Sequence, residues 1–167
     1  EAGVFRTGLE AGGRAMIQTL VVTFVLVIIT VIIHYEVLRE LAAHVEDLRL
    51  PVRVRVRMAL VMLAIIATHI VEIVIFAIGM YIANRFLGIG ALAGVAQDGL
   101  FGDYLYFSLV SYTTLGFGDI YPTDGLRLIT GIEALTGLLM ITWSASFTFL
   151  YMEKFWRLGH GSKAEDE

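Results

Sequence analysis

The sequence contains no cysteine and only two prolines among its 167 residues. Without cysteine, disulfide bonds and metal sites built from thiolates are excluded. Charged residues are scarce at 17%, whereas hydrophobic residues make up 57%, above the roughly 45–50% of typical soluble domains. The net charge of −4 is modest, and nothing in the chain is similar to a basic nucleic-acid surface. The composition therefore predicts a membrane protein with one compact transmembrane unit and no nucleic-acid partner.

The chain begins at Glu1 rather than at methionine, which indicates a processed or trimmed start. Residues 1–14 contain charges of both signs and are not typical of a signal peptide. Residues 15–33 carry no charge and are long enough to cross about 30 Å of hydrocarbon as a helix. A lone strand in lipid would leave its backbone unpaired, so we predict a transmembrane helix despite the many valines and isoleucines.

Residues 34–57 differ from this first span because they are rich in charge. Apolar residues recur among the charges at helical spacing and predict an amphipathic helix at the membrane surface or against a neighbouring subunit: Val37, Leu41, Val45 and Leu48. Pro51 interrupts this helix. Valine and arginine then alternate over 52–57, a period typical of a strand, although we interpret the segment as a cationic stop beside lipid headgroups. His34, at the end of the first span, is expected at the membrane interface.

A second apolar span, 58–83, carries His69 and Glu72 near its middle. These residues are three positions apart and share one face of a helix. We expect a buried hydrogen-bonded pair packed against another helix. A proton sensor is one alternative, because histidine titrates near physiological pH. A metal site is another, although the sequence shows no third ligand for it. A third span, 128–152, has Glu133 as its one charged residue.

Between the second and third spans lies a short semi-polar stretch that suits neither helix nor strand: Thr113-Thr114-Leu115-Gly116-Phe117-Gly118-Asp119. Gly116 and Gly118 can adopt backbone angles that are closed to other residues. Their alternation with Leu115 and Phe117 lets successive carbonyls point the same way. Such a ladder of partial negative charge can replace the water around a cation. The structural alternative is a glycine-rich turn that joins two helices.

This stretch resembles the filter signature of tetrameric potassium channels, and the resemblance covers roughly residues 102–152. Leu115 and Phe117 stand where valine or isoleucine and tyrosine are commoner, and both variants are similar to those of bacterial ion-channel proteins and two-pore-domain channels. The resemblance implies an all-α integral membrane fold. It would have three transmembrane helices, a re-entrant pore helix with a selectivity-filter loop, and a homotetramer around a central pore.

The hydropathy and charge pattern, together with the resemblance, which does not cover the first third of the chain, predicts three parts. Residues 1–57 form an N-terminal segment with the extra transmembrane helix 15–33 and a cytoplasmic amphipathic linker 34–57. Residues 58–152 form the pore domain, which contains in order the outer helix 58–83, pore helix 104–113, filter 114–119 and inner helix 128–152. Residues 153–167 form a cytoplasmic tail, whose end from Lys163 is expected to be disordered. Asp103 is a candidate cap for the pore helix.

The resemblance implies K+ sites made by main-chain carbonyls, with the Thr114 hydroxyl closing the inner site: Thr114, Leu115, Gly116 and Phe117. Gly118 and Asp119 would shape the outer mouth, and the side chains of Leu115 and Phe117 would pack on the pore helix. K+ ions in the filter are the one cofactor expected, and no catalytic residue is expected. The expected partners are identical subunits and membrane lipids, with no small-molecule ligand.

Several residues around the filter are candidates for supporting roles. Tyr106 is the matching candidate to hydrogen-bond Asp119. Glu133 is expected near the base of the pore helix, either as a hydrogen-bonded carboxylate behind the filter or as a cation site that faces the cavity. Gly137 falls where the resemblance places an inner-helix hinge, and close helix packing is the alternative. For Gly131 we expect close packing.

Arginine counting predicts the orientation. Segment 34–57 holds five arginines, whereas segment 84–126 holds only Arg85. The positive-inside rule places 34–57 and the C-terminus in the cytoplasm, with the N-terminus and the filter loop outside, in a bacterial inner or plasma membrane. The leading hypothesis is a potassium-selective channel that conducts K+ passively. The alternatives are a weakly selective cation channel, a non-conducting scaffold or regulatory subunit and, more distantly, a membrane enzyme that uses His69, Glu72 and Glu133.

Overall fold

The structure is a computed structural model of a single chain, and it describes residues 2–47, 54–95 and 100–161. Within these ranges the chain forms, in order, α1 (Ala2–Asp47), α2 (Val54–Leu87), β1 (Leu92–Gly94), α3 (Phe101–Tyr112), β2 (Ile120–Pro122) and α4 (Leu126–Gly161). Three stretches of helix are long and apolar enough to cross a membrane: Gly12–Ala43, Val56–Leu87 and Leu126–Glu153. The predicted all-α membrane architecture with three spans is therefore confirmed.

Helix α1 continues well past the predicted end of the first span at residue 33. Neither glycine nor proline occurs between residues 14 and 50, so nothing in the sequence breaks the helix there. The expected separate surface helix is instead the end of α1, and its Leu38 is buried against Val61 and Ile65 of α2. The part of the valine–arginine repeat that the structure describes, from Val54, belongs to helix α2 rather than to a strand. Pro51 lies outside the described residues.

The ends of α3 and α4 also differ from the expected ones. Helix α3 begins at Phe101, and its N-cap is Leu100 without a side-chain hydrogen bond. Asp103 lies in the first turn instead of at the cap, where a negative charge still meets the positive end of the helix. Helix α4 runs on to Gly161, so much of the predicted tail is helical. The residues from Lys163 onward lie outside the described ranges.

The core forms where α3 is held between α2 and α4, while α1 packs across α2 and α4. The main buried cluster includes Leu26 of α1, Phe76 and Met80 of α2, Tyr112 of α3 and Ile129 of α4. Large apolar side chains elsewhere on the three long helices are exposed, as expected for surfaces that face lipid or another chain. The short helix α3 is thereby fixed inside a frame of three spans.

A short β-ladder, which the sequence did not predict, joins the segments on either side of α3. Strand β1 pairs antiparallel with β2, so that Gly94 lies opposite Ile120. Gly94 has a φ of 102°, and a Cβ atom there would lie 2.1 Å from the Asp119 carbonyl oxygen. The ladder therefore fixes the chain immediately after the stretch 113–119.

Candidate functional site

The predicted filter is the stretch from Thr113 to Asp119, which we term the filter segment. It follows the last turn of α3 as irregular backbone. Its φ angle is positive at every second residue: 59° at Thr114, 50° at Gly116 and 79° at Gly118. Alternation of this kind lets successive carbonyls face one side, which is the backbone property that the two glycines led us to expect.

The positive φ angle of Thr114 was not predicted from the sequence. A positive φ is a genuine outlier for a β-branched residue and costs about 1–3 kcal/mol. Such strain persists only where the surroundings impose it, and it clusters at functional sites. The one available signal was position, because Thr114 lies two residues before Gly116 and completes the alternation.

Three backbone amides of the filter segment are hydrogen-bonded to the end of α3. Those of Thr113, Thr114 and Gly116 donate to α3 carbonyls at 3.2, 2.9 and 3.1 Å, and the acceptors are Leu109, Ser111 and Val110 respectively. Within the described part of the chain, nothing donates to the carbonyl oxygens of residues 114–117. Three amides of the segment thus point into the protein, while the carbonyl oxygens of residues 114–117 stay available as acceptors.

The side chains of the filter segment are not covered by their own chain. Leu115 is 58% exposed and Phe117 is 65% exposed, so the predicted packing on α3 is not made within one chain. Irregular backbone at membrane depth must be surrounded by protein or line a water-filled cavity. A single chain therefore presents an incomplete site.

The predicted hydrogen bond between Tyr106 and Asp119 is confirmed. The Tyr106 hydroxyl donates to Asp119 Oδ2 at 2.9 Å. This bond to the carboxylate raises the pKa of the Tyr106 hydroxyl above its ordinary value of 10.0, so the hydroxyl remains a donor at physiological pH. Val110, one turn further along α3, is buried and apolar, so it offers Asp119 no second polar partner.

Glu133 lies behind α3 and is fully buried, which contradicts the alternative in which it faces a cavity. Its Oε1 atom is hydrogen-bonded to Ser108 Oγ, which is also 2.8 Å from the Ile73 carbonyl oxygen. One hydroxyl proton can serve only one of these acceptors. Both contacts are hydrogen bonds when the Glu133 carboxyl carries a proton and donates it to Ser108. The expected hydrogen bond of the Glu133 carboxyl is therefore present, whereas its support of a filter stays a prediction.

The two glycines of α4 have different surroundings. A Cβ atom at Gly137 would lie 2.2 Å from the Tyr112 carbonyl oxygen, so α4 approaches the end of α3 closely there. The close approach of the two helices thus explains a glycine at position 137 without a hinge. At Gly131 a Cβ atom would meet nothing within 4 Å, so the close packing expected there is not made within the described chain.

Five side chains from all four helices form a second cluster, which we term the buried network: His34, His69, Glu72, Tyr112 and Ser144. His34 Nδ1 lies 2.9 Å from Glu72 Oε1, and His69 Nδ1 lies 3.2 Å from Glu72 Oε2. The Tyr112 hydroxyl donates to Glu72 Oε2 and lies 3.0 Å from His69 Nδ1. Ser144 Oγ lies 3.2 Å from Nε2 of both histidines.

The network confirms one expectation about these residues and overturns another. The hydrogen-bonded pair of His69 and Glu72, packed against other helices, is present. His34, in contrast, was wrongly expected at the membrane interface, since it is 1% exposed and bonded to Glu72. Together the three residues form a group that could ligate a metal ion, with His34 as the third ligand that the sequence did not show.

The filter segment lies within a stretch of the chain that is similar to known ion channels. A protein-family model described as "Ion channel" matches residues 65–154, a range that includes most of α2, all of α3 and most of α4. The Caenorhabditis elegans protein named "TWiK family of potassium channels protein 18" is 49% identical over 43 residues, which are 25% of this chain and 9% of that protein. The match thus spans a small part of the length of this curated relative, and α1 lies outside the family match.

Proposed function

The chain belongs to the ion channel family, and from this premise we propose that it conducts K+ passively and selectively across a membrane through the main chain of residues 114–117. The observation that supports this most is the alternating backbone at Thr114, Gly116 and Gly118. No group in the described chain donates to the carbonyl oxygens of residues 114–117. These oxygens therefore remain available to replace the water around a cation. Similarity to a protein named as a potassium channel supports K+ as that cation.

The proposed pore needs four copies of the chain. One filter segment cannot encircle an ion, and its side chains are exposed in the single chain. Closed cyclic symmetry would bring identical segments together on one axis and would also cover Leu115 and Phe117. The homotetramer is thus the simplest assembly that completes the site.

The proposed ion sites use four consecutive residues of each chain, with the Thr114 hydroxyl at the inner end: Thr114, Leu115, Gly116 and Phe117. Gly118 and Asp119 would form the outer mouth, where Tyr106 holds the Asp119 carboxylate. The C-terminal end of α3, whose partial charge is negative, lies directly before the segment and would favour a cation there. Since the electrochemical gradient drives conduction, no catalytic residue is needed.

The proposed orientation follows from the arginines. With the positive-inside rule, the connection between α1 and α2 and the end of α4 lie in the cytoplasm, and the filter segment enters from the outside. A bacterial inner membrane or a plasma membrane would fit this arrangement.

The direct functional test is cation flux into liposomes that contain the purified chain. We expect K+ flux to exceed Na+ flux strongly. We also expect Gly116→Ala to abolish the selective flux, because a Cβ atom is strained at a φ of 50°. Gly102→Ala is the matched control, since a Cβ atom at Gly102 meets nothing within 4 Å and φ there is not positive.

Two outcomes would replace the proposal with its rivals. Equal K+ and Na+ permeabilities would indicate a weakly selective cation channel, which the missing hydroxyl at Phe117 would help to explain. Absence of flux from intact assemblies would instead indicate a non-conducting scaffold or regulatory subunit.

A further inference from the structure

The buried network brings together ligand atoms in a geometry that suits a metal ion. One nitrogen from each of His34 and His69 and one oxygen of Glu72 all lie within 4.8 Å of one another. The two contacts between histidine Nδ1 atoms and the carboxylate are 2.9 and 3.2 Å. The two contacts are made to different oxygens of the Glu72 carboxylate. Ligands held about 2.0–2.1 Å from a tetrahedral Zn2+ lie about 3.3 Å apart, so small shifts of the three side chains would bring their ligand atoms to the spacing that the ion needs.

The groups around these ligands match the requirements of metal-bound imidazoles. A histidine that binds a metal through Nδ1 keeps a proton on Nε2, and this proton needs an acceptor. Ser144 Oγ lies 3.2 Å from Nε2 of both His34 and His69, and a hydroxyl oxygen has two lone pairs. Ser144 can therefore orient both rings with Nδ1 directed at Glu72. The Tyr112 hydroxyl, 3.0 Å from His69 Nδ1, stands next to a fourth coordination position.

The network has fewer protons than contacts. Neutral histidines, Tyr112 and Ser144 supply four protons, whereas six contacts join these groups to one another and to an ionised Glu72. Two of the six contacts therefore have no proton of their own. An uncompensated carboxylate buried among spans is also costly. A bound divalent cation would compensate the Glu72 carboxylate and would accept the lone pairs of the histidine Nδ1 atoms.

We propose that His34, His69 and Glu72 bind one divalent transition-metal ion of the zinc class, which links α1 to α2. Two imidazoles and one carboxylate are a ligand set that zinc uses, and imidazole favours zinc, copper, nickel and cobalt over magnesium and calcium. Entry would be from the side of His69, whose side chain is 17% exposed while Glu72 is fully buried. The bound ion would connect α1 with α2, beside Tyr112 at the end of α3.

The test uses the full chain in detergent, without a polyhistidine tag, after removal of metals with a chelator. Titration with Co2+ is expected to give the visible absorption of a tetrahedral site at one ion per chain, and added Zn2+ is expected to displace it. His34→Gln and His69→Gln should each weaken binding at least a hundredfold, whereas Ser144→Ala should weaken it about 10–100-fold through loss of the ring orientation. His44→Gln is the matched control, because ten residues of helix α1 separate it from His34 by about 15 Å.

The proposal is overturned if the wild-type assembly, intact by gel filtration, binds neither Co2+ nor Zn2+ in this titration. It is also overturned if the His34 and His69 variants bind as much metal as the wild type. Because Co2+ absorption does not depend on conduction, neither result is confused with failure of the K+ channel proposal.

Discussion

The filter segment and the buried network meet at the end of α3, where Tyr112 belongs to the network and Thr113 begins the segment. The segment presents the main-chain oxygens of residues 114–117, to which nothing in the described chain donates, and its Leu115 and Phe117 side chains are exposed. The network instead consists of side chains from four helices that are mostly buried and bonded to one another. The proposed function of the first requires further copies of the chain, whereas the second is assembled within one chain.

Because of this difference, substitutions in the two regions should have different effects. A change in the network should loosen the packing of the helices, because its partners lie on α1, α2, α3 and α4. A change in the segment should alter conduction while the helices stay folded, because its backbone is held mainly by α3. Measurements of stability and of flux on the same variants test whether the two kinds of change can be separated.

Glu72→Ala is expected to cause the largest loss of stability. It removes the carboxylate that His34, His69 and Tyr112 share, and loss of one partner from a buried charged cluster costs roughly 3–5 kcal/mol. Chemical denaturation in detergent measures the loss. Glu36→Ala, which breaks an exposed ion pair with Arg39, should change stability little, and equal losses in the two variants would contradict the role of the network.

Gly137→Ala is expected to have the next largest effect, because the added Cβ atom would lie 2.2 Å from the backbone oxygen of Tyr112. Overpacking of this kind costs about 1–3 kcal/mol. Since the clash pushes on the residue before the filter segment, flux should fall together with stability. Gly131→Ala on the same helix should leave both unchanged, and a Gly137→Ala protein as stable as Gly131→Ala would refute the close approach of α4 and α3.

Replacement of Glu133 tests whether its buried carboxyl acts as a neutral donor. Glu133→Gln keeps both the shape and an N–H donor for Ser108, so stability should change by less than about 1 kcal/mol. Glu133→Ala leaves a cavity and should cost about 1–3 kcal/mol. Thermal unfolding of the two variants side by side provides the measurement. A larger loss for Gln than for Ala would show that an ionised carboxylate is needed there.

Tyr106→Phe is expected to have the smallest effect of the four. The lost bond to Asp119 is exposed, and water readily replaces such a partner, so K+ flux should change about twofold or less. Tyr121→Phe, which changes an exposed tyrosine of strand β2, is the control. A collapse of selectivity in Tyr106→Phe alone would show that the hydroxyl holds the filter segment in place.

The local features of the pore could be predicted from the sequence. Two glycines among the seven residues from Thr113 to Asp119 predicted the alternating backbone there. Hydropathy predicted the three transmembrane spans. The Tyr106–Asp119 bond could be predicted only through the resemblance, because it joins two elements.

The features that escaped prediction depend on contacts between distant residues. His34 and Ser144 are 110 positions apart, so no spacing rule brings them together. The β-ladder consists of strands of only three residues, which are too short for a periodic signal. Charge in 34–57 indicated a separate helix, but helical continuity and burial of Leu38 prevailed over this composition.

The most direct test of the account is a cryo-electron microscopy map of the purified chain in lipid nanodiscs with K+. We expect four copies around one axis, with the carbonyls of residues 114–117 facing that axis and density for ions between them. A monomer, or an assembly in which the filter segment lies away from every symmetry axis, would contradict the claim that these oxygens replace the water of K+.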